Sequence, residues 1–236
     1  MTNSIIDLSQ RKAARVAGLL YLGLIIFGIV AQGIRESLIV SGDAAKTAEN
    51  IMESESLFLF SFVSDLFMIT CFLLLPLAFY ILLKPINKNL ASLVVIFVLV
   101  SVPIMFVNMM FHFSALILLS GADYLTVFGA DQLNALVLFF LELYEAGVWI
   151  ATIFHGLWLL PLGYLVYKSD YFPRILGTFL MLACFGFLIE SFAFFLLPSS
   201  YDAITFPGIV FELIGEFGFC GWLLIKGAKI PSDDAA

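Results

Sequence analysis

Charge is what this sequence has least of. Lys, Arg, Asp and Glu together make up 12% of its 236 residues, while hydrophobic residues make up 62%. The mean hydropathy of +1.09 lies far outside the range of a soluble domain of this length, so a soluble globular fold is excluded. The formal net charge of −7 carries no information about partners, because it sums groups on both sides of a bilayer and groups inside it. There is no basic surface pattern for nucleic acid, no phosphate-binding glycine loop, no nucleophile elbow and no lipidation motif. Cysteine is limited to Cys71, Cys184 and Cys220, each inside an apolar run and none in a CxxC pair, which excludes a disulfide framework and reads as reduced packing residues.

What the chain does contain is a series of long apolar runs. A helix needs roughly 20 apolar residues to cross a bilayer, and six runs meet that length, at roughly 15–34, 57–83, 89–119, 146–168, 173–197 and 206–227. Pro85 with KPINKN ends the second run and SGAD ends the third; Pro173 and Pro207 mark helix starts, and Pro198 lies just past a helix end. Arg11, Lys12 and Arg15 before the first run imitate a signal peptide, but five more spans follow and Ile29, Val30 and Ala31 make a poor cleavage site. The first run is therefore read as an uncleaved span.

The expected fold class is all-α, a polytopic membrane protein whose six transmembrane helices form one bundle and one domain over residues 1–236. Between Leu133 and Lys168 no strong turn signal occurs, and about 35 residues of helix would be about 52 Å long against a hydrocarbon core of about 30 Å. Residues 131–145 are therefore read as an outer interfacial helix joined near Gly147 to the fourth span. Ala44, Ala48, Ile51 and Met52 at helical spacing predict another interfacial helix over 43–55. The C-terminal KIPSDDAA is too short for a further domain.

With six spans, nine of the eleven basic residues fall on one face: Arg11, Lys12, Arg15, Lys84, Lys88, Lys168, Arg174, Lys226 and Lys229. The positive-inside rule makes that face cytoplasmic and places both termini there. One span more or fewer would scatter the clusters, so the charge distribution supports the count.

Against this apolar background a few polar residues stand out: Asp65, Asn108, His112, Glu142, Glu145, His155, Glu190, Glu212 and Glu216. Counting about 1.5 Å per residue from the outer span ends puts Asp65, His112, His155, Glu190, Glu212 and Glu216 at depths of about 9 to 15 Å. Ionisable groups at such depth are costly and normally face the bundle interior or water. Their common depth predicts one shared acidic, His-containing cavity in the outer half of the bundle, with Glu142 and Glu145 near its mouth. Glu212 and Glu216 stand at i and i+4, about 40° apart on an α-helix, and are expected to share a face, as are Asn108 and His112.

The carboxylates outnumber the cations near them, with Arg35 the one plausible fixed partner, so a proton, a metal ion or an organic amine is expected to balance them. In a metal reading His112 and His155 supply nitrogen ligands with Asp65 and Glu216 as oxygen ligands, a set that suits a divalent ion such as zinc and a metal-dependent hydrolase. No HExxH or other tight ligand spacing supports it. In a transport reading the same carboxylates form a titrating relay, and Pro76, Pro103 and Pro161 unwind or kink spans two, three and four. A structural reading makes the polar groups an interhelical hydrogen-bond network. The 26 phenylalanines cover the lipid face or fill the core, Tyr and Trp near span ends suit an aromatic belt, and the glycines permit close helix approach. The partners expected are the lipid bilayer and a cation or small molecule.

RKAARVAGLLYLGLIIFGIVAQG, SGDAAKTAENI, LKPINKNLA, FHFSALILLSGADYL, FPRILG, FAFFLLP and GEFGFCGWLLIKG together resemble the bacterial membrane-protein family catalogued as domain of unknown function 4386. The resemblance runs from about residue 11 to 229. It implies a multi-pass protein of a bacterial cell membrane and assigns no activity, cofactor or site residue.

Overall fold

The computed structural model describes residues 2–229, with side chains from Gln10 onward; the tail from Ile230, expected to carry no domain, lies outside the described residues. In order, the helices are α1 (Thr2–Leu38), α2 (Ala44–Glu53), α3 (Glu55–Leu83), α4 (Lys88–Leu119), α5 (Ala130–Lys168), α6 (Arg174–Leu196), α7 (Tyr201–Glu212) and α8 (Gly218–Ile225). A π turn, Leu213–Phe217, joins α7 to α8, and short 3₁₀ turns occupy Asp123–Leu125 and Pro198–Ser200. Among the described residues there is no strand.

Six helical segments are long and apolar enough to cross a membrane: Gln10–Leu38, Glu55–Leu83, Lys88–Leu119, Ala130–Lys168, Arg174–Leu196 and Pro198–Ile225. The protein is a multi-pass helical membrane protein. In hydrocarbon every backbone N–H and C=O must be satisfied within its own segment, which is why apolar runs of this length adopt helix. Large exposed side chains such as Leu19, Phe67, Met110 and Phe206 are what a lipid-facing surface requires.

Two local expectations are revised. Residues 131–145 are not a separate helix: α5 runs unbroken from Ala130 to Lys168 through Gly147. Helix α7 of the last span starts at Tyr201 and carries Pro207 in its interior, where the proline had been expected to open the helix. Pro76, Pro103 and Pro161 also lie inside continuous helices. The physical reason is common to all four prolines: in a membrane, neighbouring helices and local adjustment re-satisfy the backbone group a proline frees, so proline is a weaker terminator than in water.

The loop after α1 is pinned by side chains. Gly42 takes φ +74 in the turn, and Asp43 caps α2 by accepting from the Lys46 amide at 2.9 Å. Thr47 accepts from the Val40 amide at 2.9 Å, and Asn50 donates to the Leu38 carbonyl at 3.0 Å, satisfying an acceptor at the end of α1. Thr47, Ala48 and Ile51 are buried, whereas Met52 is exposed.

The chain divides into two compact units. One comprises residues 1–22, 71–102 and 149–236; the other comprises 23–70 and 103–148. The first, the aromatic unit, has Tyr21, Phe72, Phe79, Trp158 and Phe219 fully buried against one another. Its helices approach closely through glycines: Gly163 of α5 meets Gly177 of α6, and Gly186 of α6 meets Gly208 of α7. Lipid tails are as apolar as leucine, so dispersion and interhelical hydrogen bonds hold such helices together, and small residues permit the approach. In the second, the ion-pair unit, Leu38, Ile51, Phe58, Ala115, Val137 and Leu141 form a buried cluster.

Candidate functional site

The polar residues expected in one layer fall into two groups, one within each unit. In the ion-pair unit Asp65 of α3 is 1% exposed, and its Oδ2 accepts from the Nη1 of Arg35, in the last turn of α1, and from the Tyr144 hydroxyl of α5 at 3.1 Å. Arg35 also lies over the Tyr144 ring at 5.1 Å from its centroid. A cation at a helix C-terminus is favoured by the carbonyls there, so α1 presents Arg35 where its charge is welcome. The buried carboxylate is thereby neutralised within the protein.

His112 and Asn108 of α4 complete this group. The His112 imidazole is fully buried between the edges and faces of Phe58, Phe62 and Tyr144, and its Nδ1 stands 3.8 Å from Asp65 Oδ2, too far for a direct hydrogen bond. Asn108 donates to the Tyr144 carbonyl at 2.7 Å. Its side chain fills the space over Gly147, where a Cβ would collide with it. Gly147 is thus a packing site within α5 and not a break. Glu142 and Glu145, expected near a cavity mouth, are exposed on α5.

The second group lies in the aromatic unit and is organised by the π turn. Glu216 stands within that turn, accepts from the Tyr21 hydroxyl of α1 at 2.8 Å, and lies 3.5 Å from His155 Nε2 of α5. Tyr21 is fully buried, while the Glu216 and His155 side chains are 13% and 19% exposed. Phe72 and Phe187 flank the imidazole. Glu212, the last residue of α7, is 8% exposed and turns to α6 instead, its Oε1 lying 2.5 Å from where a Cβ on Gly186 would stand. Glu190 of α6 is also buried. Among the described residues, no lysine or arginine pairs with Glu190, Glu212 or Glu216.

Glu212 and Glu216, expected to share a face, touch different helices: Glu212 lies against Gly186 of α6 and Glu216 accepts from Tyr21 of α1. The ligand set His112, His155, Asp65 and Glu216 is not gathered into one group: Asp65 neighbours His112, and Glu216 neighbours His155. Among the described residues no three His, Cys, Asp or Glu side chains converge as a metal ion requires. Two hydrogen-bond partners of these acids, Tyr21 and Tyr144, were not among the residues singled out from the sequence. The signal was available in Tyr21, which sits well inside its apolar run, where a phenol needs a hydrogen-bond acceptor.

A protein from Archaeoglobus fulgidus described as uncharacterized is 31% identical over 153 residues, which cover 65% of this chain and 75% of that protein. Kinship therefore reaches beyond the bacterial setting that the sequence resemblance implied. No solved structure matches the chain significantly. Residues 16–227 match the family described as Domain of unknown function (DUF4386), and the chain belongs to that family.

Proposed function

We propose that this membrane protein is a cation-linked carrier in which Glu216 is the exchangeable site and the proton its simplest occupant. The observation that supports this reading is the placement of Glu216 in a π turn, hydrogen-bonded by Tyr21 and facing His155. Three helical segments contribute a donor, a carboxylate and an imidazole in sequence, which is the equipment of a proton relay inside a membrane. π turns are rare and concentrate at functional positions. The outer-half cavity inferred from residue depth would give the relay access to one side, and a small molecule would travel with the cation.

A metal-dependent hydrolase ranks below this reading, because its two histidines belong to separate groups. The ion-pair unit favours a structural role for itself: Arg35 and Tyr144 both donate to Asp65 Oδ2 and tie α1, α3 and α5 together. The positive-inside pattern supports an orientation with both termini cytoplasmic, and a bacterial inner membrane is the proposed location. Reconstitution into proteoliposomes with an imposed pH gradient tests the carrier. Wild type should dissipate the gradient, Glu216→Gln should abolish that flux, and Glu49→Gln should leave it intact. A wild type without flux, or a Glu216→Gln protein that retains it, overturns the reading.

A further inference from the structure

The nine basic residues that the span count groups on one face all belong to the aromatic unit, and all are exposed. The ion-pair unit carries only Arg35, engaged by Asp65, and Lys46, engaged by Glu49. Contacts within the aromatic unit gather five of the nine at one corner. Gly18 meets Leu223 and Tyr21 meets Glu216, so α1 and the last span run antiparallel. Arg15, one turn before Gly18, and Lys226, one turn after Leu223, therefore stand at one level on adjacent helices. Past Lys226, Gly227 takes φ +64 and turns the chain, and the Lys229 amide donates to the Tyr171 carbonyl at 3.1 Å. Tyr171 lies in the short turn between α5 and α6, whose shoulders are Lys168 and Arg174. Ser169 pins that turn: its hydroxyl donates to the Val166 carbonyl at 2.9 Å and accepts from the Tyr171 amide at 3.2 Å.

Negative charge is scarce at this corner. Among the residues with described side chains, Asp170 is the one acid at this end of the unit, and Arg174 already engages it at 3.2 Å. Lys168 and Arg174 lie over the rings of Tyr164 and Tyr167, 5.9 and 5.7 Å from their centroids, the pairing of a cation with an interfacial tyrosine. Val16 and Leu19 near Arg15, Ile225 beside Lys226 and Ile175 beside Arg174 are exposed apolar side chains. The basic corner is thus continuous with the surface that meets hydrocarbon, which puts its charges at the level of lipid headgroups. A soluble anion has no use for that apolar flank, whereas a phospholipid uses both parts. We infer that Arg15, Lys168, Arg174, Lys226 and Lys229 form a binding site for the headgroup of one anionic phospholipid, with its acyl chains along the exposed apolar side chains of α1 and α8. Basic pockets between spans hold such headgroups by charge. The site is separate from Glu216 and does not require that anything be transported.

Delipidated protein in a non-ionic detergent tests the site by thermal unfolding with added phosphatidylglycerol, phosphatidylcholine or soluble glycerol phosphate. Phosphatidylglycerol should raise the midpoint saturably, and the other two should leave it unchanged. Arg15→Gln and Lys226→Gln should each raise the half-saturating phosphatidylglycerol concentration about fivefold, and Lys46→Gln, in the ion-pair unit, should not change it. Native mass spectrometry should find one phosphatidylglycerol retained by the wild type and lost from the doubly substituted Arg15→Gln, Lys226→Gln protein. An equal rise with phosphatidylcholine would mean that acyl chains alone bind, and an equal rise with glycerol phosphate that a soluble anion is the ligand; either overturns the proposal. So does a wild type that responds to no lipid, an Arg15→Gln or Lys226→Gln protein that binds as the wild type does, or a Lys46→Gln protein weakened as much as they are. Glu216→Gln should keep the lipid response, so failure of the carrier and failure of the lipid site are told apart.

Discussion

Glu212 and Glu216 are four residues apart on one span and serve different neighbours: Glu216 accepts from Tyr21 of α1 at 2.8 Å, whereas Glu212 lies against Gly186 of α6. Glu216 lies within the π turn that follows Glu212.

The Tyr21 contact can be weighed directly. Tyr21→Phe removes the hydroxyl and leaves the ring packed on Phe79, Trp158 and Phe219. Interhelical hydrogen bonds in membranes average about 0.6 kcal/mol, so stability should fall by about that amount, up to about 1.7 kcal/mol. The loss should shrink in a Glu216→Gln background, as read by thermal or denaturant unfolding in detergent. Equal losses in both backgrounds would show that the hydrogen bond contributes nothing.

In the ion-pair unit, Arg35→Gln leaves Asp65 buried without its cation and should cost about 3 to 5 kcal/mol. Asp65→Asn in that background should recover part of the loss, with a coupling of about 0.5 to 3 kcal/mol in a double-mutant cycle. Additive losses would mean that the two charges act independently.

The glycine crossings give a graded series. A Cβ at Gly177 would stand 2.5 Å from the Gly163 carbonyl oxygen, which is backbone and cannot swing away. Gly177→Ala should therefore destabilise by about 1 to 3 kcal/mol through overpacking. Gly33, with nothing within 4 Å of its Cβ position, should accept alanine with a small gain from helix propensity, at most about 1 kcal/mol. Reversal of that order in unfolding midpoints would contradict the close crossing of α5 and α6.

Gly147→Ala meets a softer obstacle, the Asn108 side chain. It should break the hydrogen bond from Asn108 to the Tyr144 carbonyl, at about 1 kcal/mol, and Asn108→Ala should relieve most of the strain. A double variant no better than Gly147→Ala alone would place the strain elsewhere.

Outside the spans, Lys46 donates to Glu49 at 2.7 Å, and that hydrogen bond and charge hold its ammonium above the ordinary lysine range. A raised folded-state value means the contribution is fully present below the unfolded value and is lost as pH rises through the folded one. Because the pair is exposed and screened, Lys46→Ala should leave the unfolding midpoint unchanged from acid to mildly alkaline pH. A pH-dependent difference in that range would show the pair to be more sheltered than its exposure indicates.

Much of the fold was legible because a bilayer imposes few choices. A run of about 20 apolar residues must be helical, and basic residues after alternate runs fix how the runs are counted. Arg35 was also legible as a partner for buried acid, being the one cation at the outer end of the first run. Tyr21, deep in its apolar run, signals a phenol that needs an acceptor, but which acceptor it or Tyr144 meets has no sequence signature.

The sequence by itself determined six apolar helices, the scarcity of cations among buried acids, and the residue types available for proton or cation chemistry. Only the tertiary structure decided that α5 is continuous, that Asp65 is neutralised by Arg35, and that Glu212 and Glu216 part company. Hydropathy and spacing are properties of one segment and can be read along the chain. Which carboxylate meets a cation depends on side chains brought together from distant segments, as Arg35 of α1 meets Asp65 of α3.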